Sequence, residues 1–481
     1  MSVGLKSFTV ILVYLFVLLG VSIYSYKSQG IKNVEGFFLA NRGVNSVLLP
    51  LTMIAAMQST FAFLGAPGMY YLHGIGFIVL VLSQGWVALM VIYFGNKICR
   101  LGKKYGYMTI GDFFEDRFDS SYLKVFSAFV SILMTIVFLA MQYVGSARAI
   151  SVLSRNEVSY TTVLIIIAAF SLLYVVVGGA KSVVLTDAVQ AVILIIGIVI
   201  AAYIAIVPAG GIVNLFKTIE NTKPALLARP GLKGLYTDKY WLMQFIVLPF
   251  GIWLCPHVWV RSLMAKDDKA LATSALSIPV SQIVIYATAT LFIGLSGHLL
   301  LGDISVADNV LPLLLNKYTN WFVAALIVSA SIAAGVSTIN SMILVCSQIF
   351  SQDIFLFAKK SKVDEKTNLH ISRVITIAIV VIGTVVALKP PASLVTVVID
   401  VAYTGLAQLA PAFILGLYWK RCNRAGASIG MTAGIVILFA TRILNISPLG
   451  IPGFLWAFFI NIALTVIISM LTAKTSKERI D

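Results

Sequence analysis

The feature that most constrains this chain is a succession of apolar runs, each about 20 residues long, separated by short polar segments. A run of that length crosses the hydrocarbon core of a bilayer as an α-helix, because lipid leaves every backbone group to be satisfied within the segment. Thirteen runs qualify: 7–26, 46–72, 75–98, 122–149, 159–178, 184–207, 240–263, 272–300, 319–347, 371–389, 394–418, 425–446 and 453–473. Only 11% of the 481 residues are charged, whereas a soluble domain carries about 25%. The expected fold is an all-α membrane protein of about 13 transmembrane helices in a single domain. The first run is too long for the apolar region of a cleavable signal peptide and reads as a span.

The net charge of +16 would suggest a nucleic-acid partner in a soluble protein. Here it is assigned to loops that face anionic lipid, so the expected partners are the bilayer and a small-molecule substrate. With the N-terminus outside and strict alternation, 24 of the 35 Lys and Arg fall on the inner side. Five of the outer residues lie in one long loop, 208–239, and long loops weigh little. The expected placement is a multi-pass protein of the plasma membrane with a cytoplasmic C-terminus. Cys99, Cys255, Cys346 and Cys422 lie in or beside apolar runs and read as free thiols.

Two runs are interrupted. Run 46–72 holds Gln58-Ser59-Thr60 and then Gly65-Ala66-Pro67-Gly68. Run 240–263 holds Pro249, Gly251 and Pro256. Such breaks free backbone groups that lipid cannot satisfy, so each must face protein or a water-filled cavity. The two runs are the first and sixth of ten, the pattern expected of an inverted-repeat secondary transporter. The organisation that follows has an extra N-terminal helix (7–26), one repeat (46–207), a second (240–418) and extra C-terminal helices (425–473). Pro and Gly are also frequent in membrane helices without such a role.

Run 319–347 contains ASIAAGVSTINS, rich in small residues and hydroxyls. Ala334, Ser337, Thr338 and Ser341 are spaced i, i+3, i+4 and i+7 and share one helix face. Neutral oxygens in that density suit a hard monovalent cation such as sodium, with carbonyls from Ala55-Ala56-Met57-Gln58 at the first break completing the set. The same residues equally suit close helix packing. Asp187 opens run 184–207, where it suits a cation or an inner gate, or its own helix dipole. Asp400 follows six residues of its run and suits an outer gate or a pairing with Lys389. Gln84 and Gln142 can hydrogen-bond a substrate or glue helices. Arg148 suits a carboxylate as a fork donor, or snorkels to the interface. His257, after Pro256, suits a structural hydrogen bond. No catalytic motif or metal-ligand spacing accompanies these residues, and an enzyme is not expected.

Six blocks in order, GFFLANR, AAMQSTFAFLGAPG, MQYVGSARAI, YVVVGGAKSVVLTDAVQ, CPHVWVRSLMA and AAGVSTINSMILVCSQIFSQDI, resemble the sodium:solute symporters across nearly the whole chain. The resemblance implies the leucine-transporter architecture of two inverted five-helix repeats. It implies sodium as coupling ion, held by the carbonyls of Ala55, Gln58 and Ala334 and the hydroxyls of Ser337 and Thr338. In some members a second sodium lies near the acid of the TD motif, which here implicates Asp187, Ser337 and Ser341. Asn340 stands where those members have a hydroxyl, and Met57 where proline carriers have an acid. The central blocks look more like pantothenate permeases, and the AxxQS pattern is similar to vitamin and monocarboxylate carriers. The implied substrate is therefore a small organic carboxylate, surrounded by Ser59, Thr60, Gln84 and Trp253 with Gln142 and Gln408 behind. Amino-acid or sugar symport, proton coupling, and solute sensing without transport are the other readings.

Overall fold

The computed structural model of the chain describes residues 1–29, 33–359, 364–391 and 394–473. The described chain is helical throughout. The helices that position the site are α1 (Val3–Gln29), α2 (Leu48–Met57), α3 (Ala66–His73), α4 (Val79–Met90), α5 (Ser121–Leu153) and α6 (Tyr160–Ile206). They are followed by α7 (Asp238–Trp253), α8 (Pro256–Met264), α9 (Asp268–Leu301), α10 (Trp321–Ile349), α11 (Glu365–Ala387), α12 (Val398–Tyr418), α13 (Arg424–Ile443) and α14 (Gly453–Leu471). Polar caps start several of them. Ser120, Ser159, Asn320 and Asn423 each accept from a backbone N–H of the first turn, which would otherwise lack a partner.

Among the described residues, ten helical stretches are long and apolar enough to cross a membrane, or eleven if the α7–α8 pair is one bent span. This does not confirm the expected thirteen. Runs 46–72 and 75–98 yield one 45-residue stretch, Phe61–Tyr105, preceded by the short α2. In run 159–178 the apolar stretch Tyr160–Val176 belongs to α6, which turns at Gly179 (φ 60°), a conformation that glycine adopts without steric cost.

Burial sorts the helices. The apolar core of α10 is 83% buried inside the protein, against 28% for α1 and for Thr367–Ala387 of α11. The small-residue helix is thus the centre of the bundle, and α1 and α11 face outward with apolar side chains, as a lipid-facing helix requires. α10 packs on α5, α6 and α1, and α2 packs on α6 and α9. α13 and α14 pair tightly with each other and lean on α12.

Both interrupted runs break where their composition indicates. α2 stops at Met57, Gln58 is extended (φ −97°, ψ 138°), and the chain re-enters helix through a wide π-type turn at Phe61–Gly65. α7 and α8 meet at Cys255 with a bend of 54°. The close approach there depends on Gly251: any Cβ at that position would overlap the Tyr403 backbone carbonyl of α12.

Candidate functional site

The break after α2 leaves carbonyls with no helical N–H to accept from, and other helices satisfy them. Ser337 Oγ donates to the Ala55 carbonyl (3.1 Å) and to its own helix at Ala334 (2.9 Å). Thr338 Oγ1 lies 2.8 Å from the Gln58 carbonyl, 3.0 Å from that of Ala334 and 3.5 Å from that of Ala55. The His257 ring hydrogen-bonds the backbone of Ala56. All of these residues are buried. The structure therefore brings Ala55, Gln58, Ala334, Ser337 and Thr338 into one cluster of five neutral oxygens, three carbonyl and two hydroxyl. That donor set fits a small hard cation: oxygen ligands from two helices and no charged competitor among the five.

One turn along α10 the chemistry changes. Asp187 does not open a helix; it lies well inside α6, buried, and its own helix N-terminus is remote. Its Oδ2 accepts from Arg261 Nη2 of α8 (2.7 Å) and from Thr52 Oγ1 of α2 (2.6 Å). The same Arg261 Nη2 donates to Ser341 Oγ of α10 (2.9 Å), Nε to Thr52 Oγ1 (3.1 Å), and Nη1 to the His257 carbonyl. Asp187 and Ser341 are thus joined through a guanidinium. Sequence reasoning named neither Arg261 nor Thr52. The available signal was Asp187 itself, since an acid inside a membrane span calls for a named partner.

The substrate candidates are all buried but do not form one group. Thr60 donates its N–H (3.2 Å) and hydroxyl (2.8 Å) to Gln142 Oε1. It is clamped between two glycines: a Cβ on Gly145 would stand 2.6 Å from Thr60 Oγ1, and one on Gly335 would stand 2.6 Å from Thr60 Cγ2. Ser59 Oγ accepts from the Phe61 N–H (3.2 Å). The Gln58 amide, Gln84 Oε1 and Trp253 Nε1 are buried without a protein partner, which marks them as polar groups available to a ligand. Trp253 packs its ring on Phe94 and Phe413. Gln408 is turned away from the Thr60 group. Asn461 of α14 donates to its carbonyl (2.7 Å) and to Oε1 (3.3 Å), tying α12 to the C-terminal pair.

On another side of the bundle, Arg148 neither snorkels nor stands free. It pairs with Asp308 (3.2 Å) and donates to the Pro391 carbonyl. Asp308 also accepts from the Leu394 N–H (3.2 Å). Burial pushes the Asp308 carboxyl up, with the Leu394 N–H and Arg148 acting in the opposite sense. Asp400 bonds not to Lys389 but to the Tyr240 hydroxyl (3.2 Å), in a cavity of about 400 Å³ that Arg442 also lines.

Paired interrupted spans that converge on buried oxygens, in an otherwise apolar helical bundle, define a secondary transporter. Comparison with known proteins makes the assignment particular. A family profile described as "Sodium:solute symporter family" matches residues 37–434. The sodium/pantothenate symporter of Haemophilus influenzae is 29% identical over 435 residues, 88% of each chain. That of Escherichia coli is 29% identical over 444 residues, 91% of this chain and 90% of its own. The Escherichia coli sodium/proline symporter is 25% identical over 485 residues, with 95% and 92% covered. The solved structure of a Na+-coupled sialic acid symporter, in a substrate-bound outward-open state, superposes with a TM-score of 0.80 at 19% identity over 99% of both chains. The chain belongs to the sodium:solute symporter family and is a transporter, not an enzyme.

Proposed function

We propose that this symporter imports a small organic carboxylate, with pantothenate the first candidate, by alternating access driven by sodium. The observation that carries the reading is the break after Met57, whose freed carbonyls face two adjacent hydroxyls of the most buried helix. Sodium is held by Ala55, Gln58, Ala334, Ser337 and Thr338. It ties α2 to α10 and so favours one arrangement of the two repeats, 46–207 and 240–418, over the other. Coupling requires that difference in ion affinity between states. Each sodium that enters adds about 2.3 kcal/mol per 100 mV of membrane potential. The substrate sits beside the same break, against Ser59, Thr60, Gln142 and the unpartnered Gln58 amide, with Trp253 and Gln84, whose Oε1 has no protein partner, as further contacts. The protein lies in the plasma membrane with its N-terminus outside and its C-terminus in the cytoplasm. The two sodium/pantothenate relatives support the substrate class, as does Met57 in place of an acid.

The test is uptake into proteoliposomes of labelled pantothenate, proline and a panel of monocarboxylates, with and without an inward sodium gradient. Pantothenate accumulation that needs the sodium gradient is the expected result. Accumulation of proline alone would move the substrate to the amino-acid class. Accumulation that survives without sodium but collapses with a proton gradient would remove the coupling claim.

A further inference from the structure

Asp187 and Ser341 hold between them what a cation requires, a carboxylate and a hydroxyl on two helices, yet a cation is already covalently attached there. Arg261 comes from α8, beyond the second break, and one of its nitrogens bonds both residues (2.7 Å and 2.9 Å). Its side chain is 2% exposed and that of Asp187 is 1% exposed, so the pair is shielded from water. We propose that the guanidinium of Arg261 acts as a built-in second cation, which restricts this symporter to one sodium per cycle.

The argument is electrostatic and rests on the proposed sodium site one turn away. Asp187 and Arg261 together are neutral. A further ion added there would be an uncompensated charge in a medium that shields poorly, and such charges are expelled or paired. Ser341 follows Ser337 by four residues, about 6 Å along α10. A sodium held by Ser337 therefore has the Arg261 charge nearby, with the Asp187 carboxylate to offset only one of the two. The tether also differs from a mobile ion mechanically. It moves with α8 and links Thr52 of α2, Asp187 of α6 and Ser341 of α10, so it stays in place while sodium comes and goes. Asn340 fits this arrangement: a second ion does not need a hydroxyl at that position when none binds.

The experiment is a count of radioactive sodium bound per chain on the purified full-length protein, which needs no knowledge of the solute. The wild type is expected to bind one sodium without cooperativity. Arg261→Ala is expected to bind two, a twofold rise, and to gain thermal stability steeply with sodium because the ion then neutralises Asp187. Arg261→Lys and the double variant Arg261→Ala, Asp187→Asn are expected to return to one. Two sodium ions on the wild type would overturn the proposal and leave the function reading intact. No sodium on the wild type would sink both. Should Arg261→Ala not fold, the same count on Arg261→Gln, which keeps a polar donor without the charge, decides: two ions are expected and one would overturn the proposal. A folded Arg261→Ala that binds only one ion would overturn the proposal.

Discussion

Ser337 and Ser341 stand one turn apart on the same face of α10, yet one lies among neutral oxygens and the other against a closed ion pair. The Ser337 cluster is built from carbonyls that a helix break has released, and no fixed charge satisfies it. The Ser341 cluster is an ion pair, with carboxylate, guanidinium and two hydroxyls joined at 2.6–3.1 Å through Asp187 Oδ2, while Asp187 Oδ1 is buried without a protein partner. Under the same burial, the first arrangement has the neutral donor set proposed for a mobile ion, whereas the second carries a fixed ion pair. The comparison yields opposite signatures on mutation: loss of fold at one turn, loss of ion affinity at the other.

The largest effect is expected at the closed pair. Asp187→Asn leaves Arg261 charged and buried without its counter-charge, which costs about 3–5 kcal/mol. Thermal unfolding in detergent should show that loss at every sodium concentration. A variant as stable as the wild type would mean that the pair is not the structural member of the comparison. At the neutral cluster, Ser337→Ala with Thr338→Ala removes two of the oxygens proposed to meet the ion. Contacts to a charged group are each worth about 1.5–3 kcal/mol, so the pair should cost about 3 kcal/mol, on the order of a hundredfold in half-saturating sodium. Stability without sodium should fall by about 1–3 kcal/mol, less than for Asp187→Asn, because the Ala55 and Gln58 carbonyls lose their donors. An unaltered sodium dependence would take these hydroxyls out of the ion site.

The class of fold and the hydroxyl face of the neutral cluster were legible because each depends on local pattern, whereas the choice of Ala55 and Gln58 within the broken string followed from the family resemblance. Apolar length marks spans, and Gly, Pro and polar strings mark breaks. The i, i+3, i+4, i+7 spacing puts Ala334, Ser337, Thr338 and Ser341 on one face whatever the tertiary structure. The closed pair was not legible, because Arg261 lies at the end of its run, where a positive charge reads as a loop residue facing lipid. Arg261 lies beyond the 54° bend at Cys255, and its side chain is buried. Asp308 was missed for a similar reason: it sits in the segment between two spans and meets Arg148 across 160 residues. Gln408 shows the converse. Its type suits a substrate contact, but rotation about α12 aims it at Asn461, and sequence alone does not fix which face of an apolar helix looks inward. The count of about thirteen spans is not confirmed where breaks and kinks divide or join helices, since hydropathy measures length and not direction.

A smaller effect tests whether the break itself is tuned. Gly335→Ala would put a Cβ 2.6 Å from Thr60 Cγ2 and 2.7 Å from Ser146 Oγ. The clash should cost about 1–2 kcal/mol as α5 and α10 part. Because Thr60 bonds Gln142 at the same place, solute affinity should fall further than sodium affinity. Equal losses of both would place the damage in general packing instead.

The smallest effect is expected at the second ion pair, and it sharpens the contrast with the first. Arg148 keeps the Pro391 carbonyl when Asp308 loses its charge, and Asp308 has the Leu394 N–H. Asp308→Asn should therefore change stability by less than about 1 kcal/mol near neutral pH, far less than Asp187→Asn. The sign with pH follows from the direction of the shift. Burial raises the folded-state pKa of Asp308 above its unfolded value. Its protonated form is then favoured by folding, so its contribution is full below the unfolded pKa and is lost as pH rises through the folded one. Asn mimics the protonated acid, so the variant should gain on the wild type as pH rises from about 4 to 7. A variant that instead loses ground over that range would mean that the ionised Asp308–Arg148 pair stabilises the fold, as the Asp187–Arg261 pair does.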